Sequence, residues 1–213
     1  SFSDGGLFLD PQYAIEQAYK LIADGADIIE IGAESTRPGA IAIDLTEELH
    51  RLRPVLQNLG ENCPVPISVD TRKADVASQV LDWGVSIIND VSAMQFDEEL
   101  GRVVANAKAG IVLMHMKGNP ETMQEHCQYD NVVDEVKVFL QDRIKIAESY
   151  GIYREQIVID PGIGFAKNTK QNLSLLKDLA AFKSLGQPML VGVSKKSFIG
   201  DVLNKPVGKR TMG

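Results

Sequence analysis

The amino-acid sequence predicts an α/β fold, a TIM-type (β/α)8 barrel that in this chain lacks the first strand and the last strand–helix unit. Short apolar runs rich in β-branched residues alternate with amphipathic stretches, which is typical of a parallel sheet with helical crossovers. All the runs end in polar or charged residues, whereas an open doubly wound sheet needs elaborate endings only beside one switch point. Residues 1–6 resemble a loop leaving an absent strand. The chain is also shorter than the roughly 250 residues typical of the barrel.

Six short strands are predicted, at residues 28–32, 67–69, 87–88, 111–114, 157–159 and 189–193. The polar residues that follow them are, in order, 34–37 (Glu-Ser-Thr-Arg), Asp70, Asn89 with Asp90, His115, Asp160, and 194–196 (Ser-Lys-Lys). Active sites of parallel α/β folds lie at the carboxyl ends of the strands. Function is therefore expected at these six endings.

Seven helices are predicted between and after the strands, at residues 10–25, 46–60, 74–83, 97–107, 132–150, 172–182 and 196–203. The first begins with Asp10 at the N-cap and Pro11 at the first helical position, a combination that favours helix initiation. Glycines at positions 25, 60, 84, 110 and 151 end or follow five of them.

Composition bounds the class of protein. No Pro/Gly/Ser-rich or charge-biased linker interrupts the alternation, so residues 1–213 are expected to form a single domain. The net charge of −7 leaves no basic face, and nucleic acid is not an expected partner. No apolar stretch reaches the roughly 18 residues of a membrane span, so we expect no membrane association and a cytoplasmic location. Cys63 and Cys127 are expected to be free thiols.

Three of the strand endings carry Asp or Asn, namely Asp70, Asn89 with Asp90, and Asp160. A single Asp after a strand most often caps a helix or orders a turn. Several converging at one edge, together with Lys196, favour binding of a flat heterocycle rich in N–H donors and carbonyl acceptors, such as a pterin or a guanine-like edge.

The loops between these endings suggest anion binding. Residues 34–39 (Glu-Ser-Thr-Arg-Pro-Gly) combine a guanidinium, two hydroxyls and a stiffening Pro, which suits folding over a phosphate. Ser194, Lys195 and Lys196 begin a predicted helix, where free N–H groups favour anions. Residues 160–165 lack the third glycine of a dinucleotide fingerprint. His115 is expected to be a packed, hydrogen-bonded histidine rather than a base or metal ligand.

Taken together, seven motifs resemble those of the bacterial dihydropteroate synthases across essentially the whole chain; they are residues 1–6, 34–39, 68–71, 88–91, 113–116, 160–165 and 194–198. The resemblance implies a (β/α)8 barrel. It also implies a transferase of folate biosynthesis that joins 6-hydroxymethyl-7,8-dihydropterin pyrophosphate to p-aminobenzoate and releases pyrophosphate. Sulfonamides would compete with p-aminobenzoate.

The resemblance also implies a role for individual residues. The pterin would be held by Asp70, Asn89, Val91, Met114, Asp160, Gly164 and Lys196, of which Asp70, Asp160 and Lys196 would be catalytic. The p-aminobenzoate site would be formed by Thr36, Pro38, Phe165 and Ser194. Arg37 would approach the pyrophosphate, and Mg²⁺ would screen it. The family's metal ligand is expected upstream of Ser1, so no metal ligand is expected within this chain.

Some features depart from the family pattern. Lys195 stands where an arginine is common, and the last strand's Arg-x-His motif is absent. The change at Lys195 is tolerable if that side chain faces only the helix and solvent. The strand upstream of Ser1 and the Arg-x-His motif each supply an anion ligand in the family, and without them the barrel edges are unpaired, so we expect residues 1–213 in isolation to have weak or no activity. The full-length protein is expected to form a homodimer. The alternatives are a pterin-binding methyltransferase domain, which shares the Asp and Asn endings but not loops 34–39 and 194–198, and a non-catalytic pterin-binding module.

Overall fold

The structure, a computed structural model, describes residues 10–60 and 63–210. Helices and strands alternate along this part of the chain. The helices are α1 Pro11–Ala23, α2 Leu45–Leu59, α3 Ala74–Asp82, α4 Glu99–Ala107, α5 Val132–Ser149, α6 Thr169–Lys177 and α7 Ser197–Leu203. The strands are β1 Ile29–Gly32, β2 Ile67–Asp70, β3 Ile87–Asp90, β4 Gly110–Met114 and β5 Ile157–Asp160.

The five strands form one parallel sheet in the order β1-β2-β3-β4-β5. Each crossover advances to the neighbouring strand in the same direction, and the described strands contain no point at which the order reverses, as a doubly wound sheet requires. Crossovers of one hand then put the helices on one face of the sheet. The arrangement is an arc of a (β/α)8 barrel, which confirms the predicted fold class.

The hydrophobic core lies between this sheet and the helices. Because side chains alternate along a strand, one face of the sheet carries its apolar members. The core residues from the strands are Ile29, Ile67, Val69, Ile88, Ile111, Leu113, Ile157 and Ile159. Leu52 and Leu56 of α2, Val80 of α3 and Leu140 of α5 meet them. Burial of each such side chain stabilises the fold by about 1.5–3 kcal/mol. The opposite face of the sheet, which we call the inner face, is left for the site.

Helix starts follow the capping residues of the sequence. Asp10 accepts a hydrogen bond from the Gln12 amide at 2.8 Å, and Pro11 occupies the first turn of α1, as predicted. Asn168 starts α6 through a capping box with Gln171. Since this cap lies upstream of the apolar periodicity, α6 begins three residues before its predicted start. The end of the predicted helix is instead a 3₁₀ segment, Leu179–Leu185.

The sixth predicted strand is wrong. Residues 189–193 form one isolated parallel bridge, between Met189 and Ile159, and no strand is assigned there. The bridge is flanked by hydrogen bonds from the Ile159 amide to the Pro188 carbonyl and from the Leu190 amide to the Ile159 carbonyl. In the described residues this segment has a partner on one side only, and Gly192 adds no side chain to pack. It still runs beside β5, so the loop that follows it lies next to the end of that strand.

Cys63 and Cys127 are free cysteines, as predicted. Among the described helices, none combines the length and apolar character needed to cross a membrane.

Candidate active site

Four of the predicted site residues lie on the inner face of the sheet, at the carboxyl ends of their strands. Asp70 is paired in register with Asn89, and Met114 with Asp160. The alternation that sends Val69, Ile88, Leu113 and Ile159 into the core turns these four residues to the other side. Asp70, Asn89 and Asp160 are each at least nine-tenths buried. The fold therefore brings two carboxyl groups and an amide to one edge, as the sequence predicted.

Lys196 precedes α7 and lies against the loop that follows β5. Its Nζ donates a hydrogen bond to the Ile163 carbonyl at 2.5 Å and lies 4.8 Å from the centre of the Phe165 ring. Gly164 has a φ of +84°, and a Cβ there would lie 3.0 Å from Lys196 Cδ. A side chain at position 164 would therefore be strained and would push against Lys196, so glycine keeps the lysine close to this loop.

An apolar wall lies beside the polar groups. Val91, Met114 and Phe165, each predicted to contact a ligand, belong to one buried cluster that is separate from the main core. Met116, Met123 and Ala166 complete it. Flat side-chain surfaces and polarisable thioethers beside hydrogen-bonding groups suit the faces of an aromatic heterocycle.

The loops after β1, β4 and β5 are joined to one another at this end of the sheet. The Gly39 amide donates to the Pro120 carbonyl at 3.1 Å, and Gln124 Nε2 donates to the Gly164 carbonyl at 3.3 Å. In the first of these loops, Thr36 is buried, Arg37 is half-buried and Pro38 is exposed. Ser194 is exposed in the loop before α7.

The electrostatics of the site follow from burial. Burial raises the pKa of Asp70 well above its usual value, and the nearby Glu30 raises it further. Burial also raises the pKa of Asp160 to about 6, although the Gly162 amide and Lys196 oppose the rise. Burial lowers the pKa of Lys196 to about 8, against the attraction of Asp160 and Glu30. The raised pKa values show that burial costs these carboxylates more than their present partners return, so a ligand that supplies N–H donors would favour their ionised form.

The loop after β1 is tied to the barrel by buried ion pairs that the sequence analysis missed. Glu34 accepts hydrogen bonds from Arg72 Nη2 at 3.0 Å and from Lys73 Nζ at 2.7 Å. Lys73 also donates to Glu48 Oε2 at 2.5 Å and to the Ile43 carbonyl at 2.7 Å. Glu34 therefore anchors the loop rather than facing a ligand.

The loop after β5 is held by Lys167, which the sequence analysis also missed. This side chain is 3% exposed and donates to the carbonyls of Gly162, Phe165 and His115 at 2.9–3.3 Å. It also lies 2.9 Å from His115 Nδ1. Gly162 has a φ of +69°, and a Cβ there would collide with the His115 carbonyl. No sequence signal distinguishes Lys167 from a surface lysine.

Two polar strand endings serve the structure. Asp90 points to the core side, where it accepts hydrogen bonds from the Ser92 amide, the Ser92 hydroxyl and the Met94 amide. His115 is 2% exposed, and its ring packs at 4.8 Å against Phe139. Burial lowers the pKa of His115 to about 2, with a further contribution from Lys167. The predicted packed histidine is confirmed.

Fold and site together define a parallel β/α barrel whose strand ends carry buried carboxyl groups, an amide and a lysine beside an apolar wall. A model of the family described as pterin binding enzyme matches residues 1–213. The chain is 48% identical over 206 residues to a dihydropteroate synthase of Synechocystis sp., covering 97% of this chain and 71% of that protein.

Solved structures agree. A Yersinia pestis dihydropteroate synthase in complex with a sulfonamide drug superimposes with a TM-score of 0.95 at 38% identity, covering 100% of this chain and 77% of that one. A Xanthomonas albilineans dihydropteroate synthase with 4-aminobenzoic acid gives a TM-score of 0.89 at 40% identity, covering 98% and 74%. The chain belongs to the pterin-binding enzyme family and, within it, to the dihydropteroate synthases. These relatives support the predicted transferase rather than the methyltransferase domain or the non-catalytic module.

Proposed function

We propose that this chain joins 6-hydroxymethyl-7,8-dihydropterin pyrophosphate to p-aminobenzoate, forming 7,8-dihydropteroate and pyrophosphate for folate biosynthesis. One observation carries the proposal: Asp70, Asn89 and Asp160 share the inner face of one parallel sheet, with Met114 among them. The synthase relatives supply the reaction that such a receptor serves.

The pterin ring is held by complementary hydrogen bonds. Asp70, Asn89 and Asp160 accept from ring N–H and amino groups, and Lys196 donates to the ring carbonyl or a ring nitrogen. Val91 and Met114 contact the faces of the ring, and Gly164 allows close approach at its edge. The buried cluster that contains Val91, Met114 and Phe165 supports this arrangement.

The p-aminobenzoate lies further out, between the loops after β1 and β5. Thr36, Pro38, Phe165 and Ser194 surround it, and Ser194 hydrogen-bonds its carboxylate. Sulfonamides compete for the same position. The Yersinia pestis relative in complex with a sulfonamide drug and the Xanthomonas albilineans relative with 4-aminobenzoic acid support the binding of these two classes of ligand.

The chemistry begins with loss of pyrophosphate. The C–O bond of the pterin methylene breaks, its electron pair leaves on pyrophosphate, and a cationic pterin methylene remains. The arylamine nitrogen then forms the C–N bond and releases one proton to water. The negative charge of Asp160, which is ionised above about pH 6, stabilises the cation, and the cation in turn favours the ionised form of Asp70. Arg37 stabilises the departing anion.

Magnesium remains a proposal taken from the resemblance, and bound Mg²⁺ would screen the pyrophosphate charge. Across residues 10–60 and 63–210, no three His, Cys, Asp or Glu side chains come together as a metal site. The described residues therefore do not by themselves form a Mg²⁺ site, and no step of the proposed reaction depends on the ion. A cytoplasmic location, expected from the sequence, and a homodimer of the full-length protein are likewise proposals, tested by cell fractionation and by sedimentation.

The reaction is tested with the full-length protein and both substrates, with dihydropteroate measured by mass spectrometry and pyrophosphate by a coupled assay. We expect equimolar products that require both substrates, and strong inhibition by a sulfonamide. Pyrophosphate release without dihydropteroate, or turnover that does not need p-aminobenzoate, would contradict the proposal.

A further inference from the structure

A charged residue that the reaction scheme does not use lies on the inner face of β1. Glu30 is paired in register with Ser68 of β2, one row below the pair formed by Gly32 and Asp70. Gly32 has no side chain, and a Cβ there would lie 3.3 Å from Asp70 Cβ. The Glu30 side chain extends past β2 toward β3. Glu30 Oε2 accepts a hydrogen bond from Asn89 Nδ2 at 2.7 Å.

This hydrogen bond fixes the orientation of the Asn89 amide. Burial raises the pKa of Glu30, but the hydrogen bond from Asn89 opposes the rise and favours the carboxylate form. An ionised carboxylate can only accept, so the amide nitrogen faces Glu30 and the amide oxygen faces away from it. Asn89 Oδ1 is buried and has no hydrogen-bond partner among the described residues. A buried acceptor without a partner costs free energy until a ligand satisfies it. Asn89 is therefore held as an acceptor that awaits an N–H group.

The charge of Glu30 also reaches the other polar groups of the site. It raises the pKa of Asp160 and of Asp70, in each case after burial as the larger cause. It attracts Lys196 and so opposes the lowering of that lysine's pKa by burial. Glu30 thus acts electrostatically on Asp70, Asp160 and Lys196. Among the described residues, its hydrogen bond is to Asn89 alone.

We propose that Glu30 is a positioning residue that sets ring specificity: it holds Asn89 with the amide oxygen toward the ligand, so that the site selects a heterocycle with an N–H donor at that edge. This inference rests on the proposed function. A 2-amino pterin offers such a donor. The corresponding lumazine, in which the 2-amino group is replaced by a carbonyl, offers an acceptor to the acceptor Asn89 and is rejected.

The test is calorimetric titration of the full-length protein with 6-hydroxymethylpterin and with 6-hydroxymethyllumazine, neither of which can react. Glu30→Leu frees the Asn89 amide to rotate. We expect pterin affinity to fall about tenfold, the effect of losing one net hydrogen bond in a buried site. Lumazine affinity should stay equal or rise, so that the ratio of pterin affinity to lumazine affinity falls toward one. Glu30→Gln keeps an acceptor for Asn89 and should preserve that ratio within about threefold. Glu16→Leu, on the exposed face of α1, is the matched control.

If Glu30 acts through Asn89, its effect on specificity must disappear when the Asn89 amide is removed. In an Asn89→Ala background, Glu30→Leu should leave the ratio of pterin affinity to lumazine affinity unchanged, because there is no amide left to orient. A ratio that narrows by the same factor with and without Asn89, or a Glu30→Leu protein with the wild-type ratio, would overturn the role of Glu30. Should Glu30→Leu fail to fold, the same cycle is run with Glu30→Ala, which also removes the acceptor, and the same two outcomes overturn the role. A wild-type protein that binds neither ring would instead overturn the proposed function.

Discussion

The loops after β1 and after β5 are each held by one lysine, the half-buried Lys73 and the buried Lys167, but the two lysines have different partners. Lys73 pairs with the carboxylates of Glu34 and Glu48. Lys167 donates to backbone carbonyls and lies beside a histidine nitrogen. The first set joins separate elements of the fold, whereas the second fixes the shape of the loop that carries Lys167 itself.

The difference in partners matches a difference in exposure. In the loop after β1 the base is fixed by Glu34 and the tip by one backbone hydrogen bond, from Gly39 to Pro120, and Pro38 and Ile41 lie exposed. In the loop after β5 every residue from 161 to 167 is buried. We infer that the side of the site formed by the loop after β5 is pre-organised, while the loop after β1 can adapt on binding.

The two lysines also titrate in opposite directions. Burial alone lowers the pKa of Lys73, but hydrogen bonds and attraction from Glu34 and Glu48 outweigh it and raise the pKa above 10.5. Burial lowers the pKa of Lys167 to about 7, with Asp160 opposing. Carboxylates thus keep one lysine charged, and a dry shell of carbonyls lets the other approach neutrality.

The largest expected effect is that of Lys73→Met. Glu48, whose side chain is 1% exposed, and Glu34 then lose the ammonium that balances their charge. Removing one partner of a buried ion pair typically destabilises by about 3–5 kcal/mol. Urea unfolding measures this. Lys145→Met, which removes an exposed pair, should change stability by less than about 0.5 kcal/mol. A loss below about 1 kcal/mol at Lys73 would show that the cluster does not anchor the loop.

Lys167→Met should have the next largest effect. It leaves the carbonyls of Gly162, Phe165 and His115 without their buried donor, and we expect a loss of about 1–3 kcal/mol in the free energy of unfolding. Because the same loop borders the site, KM for the pterin substrate should rise. Lys177→Met, at an exposed position of α6, serves as the control. Normal stability together with a normal KM would show that the loop holds its shape without Lys167.

Asp160→Asn tests the pre-organised side directly. One acceptor is replaced by a group that also donates, so pterin affinity should weaken about tenfold. Wild-type affinity should itself fall as the pH drops below about 6, where Asp160 becomes protonated. The Asn variant should lose this part of the dependence and keep only the part that comes from Asp70, whose pKa is also raised. Titration calorimetry between pH 5 and 8 measures pterin affinity in the wild type and in the variant, with Asp178→Asn as the exposed control. A variant as pH-dependent as the wild type would remove Asp160 from the ring site.

The smallest expected effect is the pH dependence of stability from Lys167. Its pKa is lower in the folded protein, so between about pH 7 and 10.5 the unfolded chain binds a proton that the folded protein has released. Stability therefore rises with pH in that window, by about 1 kcal/mol from pH 7 to 8, and the contribution is absent below it. Lys167→Met should lose this increment. Equal pH profiles for both proteins would show that Lys167 stays charged.

Residues close in sequence carried most of the correct predictions. The β-branched runs and their endings located five strands and placed Asp70, Asn89 and Asp160 at one edge, because strand alternation and parallel pairing are local rules. The prediction failed at residues 189–193, which form only one bridge to β5, between Met189 and Ile159; composition does not show how many such pairs form.

The contacts that the sequence did not predict join residues that are distant in sequence. Lys73 and Glu34 are 39 residues apart, and Lys167 and His115 are 52 apart, so no local pattern joins them. Glu30 did leave a signal. Side chains of a strand point alternately to its two faces, and Ile29 and Ile31 point to the core side. The charged residue between them therefore lies on the opposite face, together with Gly32.

The central claim is that the inner face of the sheet receives the pterin ring. A crystal structure of the full-length protein with 6-hydroxymethylpterin tests it most directly. We expect the ring within hydrogen-bonding distance of Asp70, Asn89 Oδ1, Asp160 and Lys196, with Met114 against one face. A ring bound outside this set, or bound here with those side chains turned away, would contradict the account.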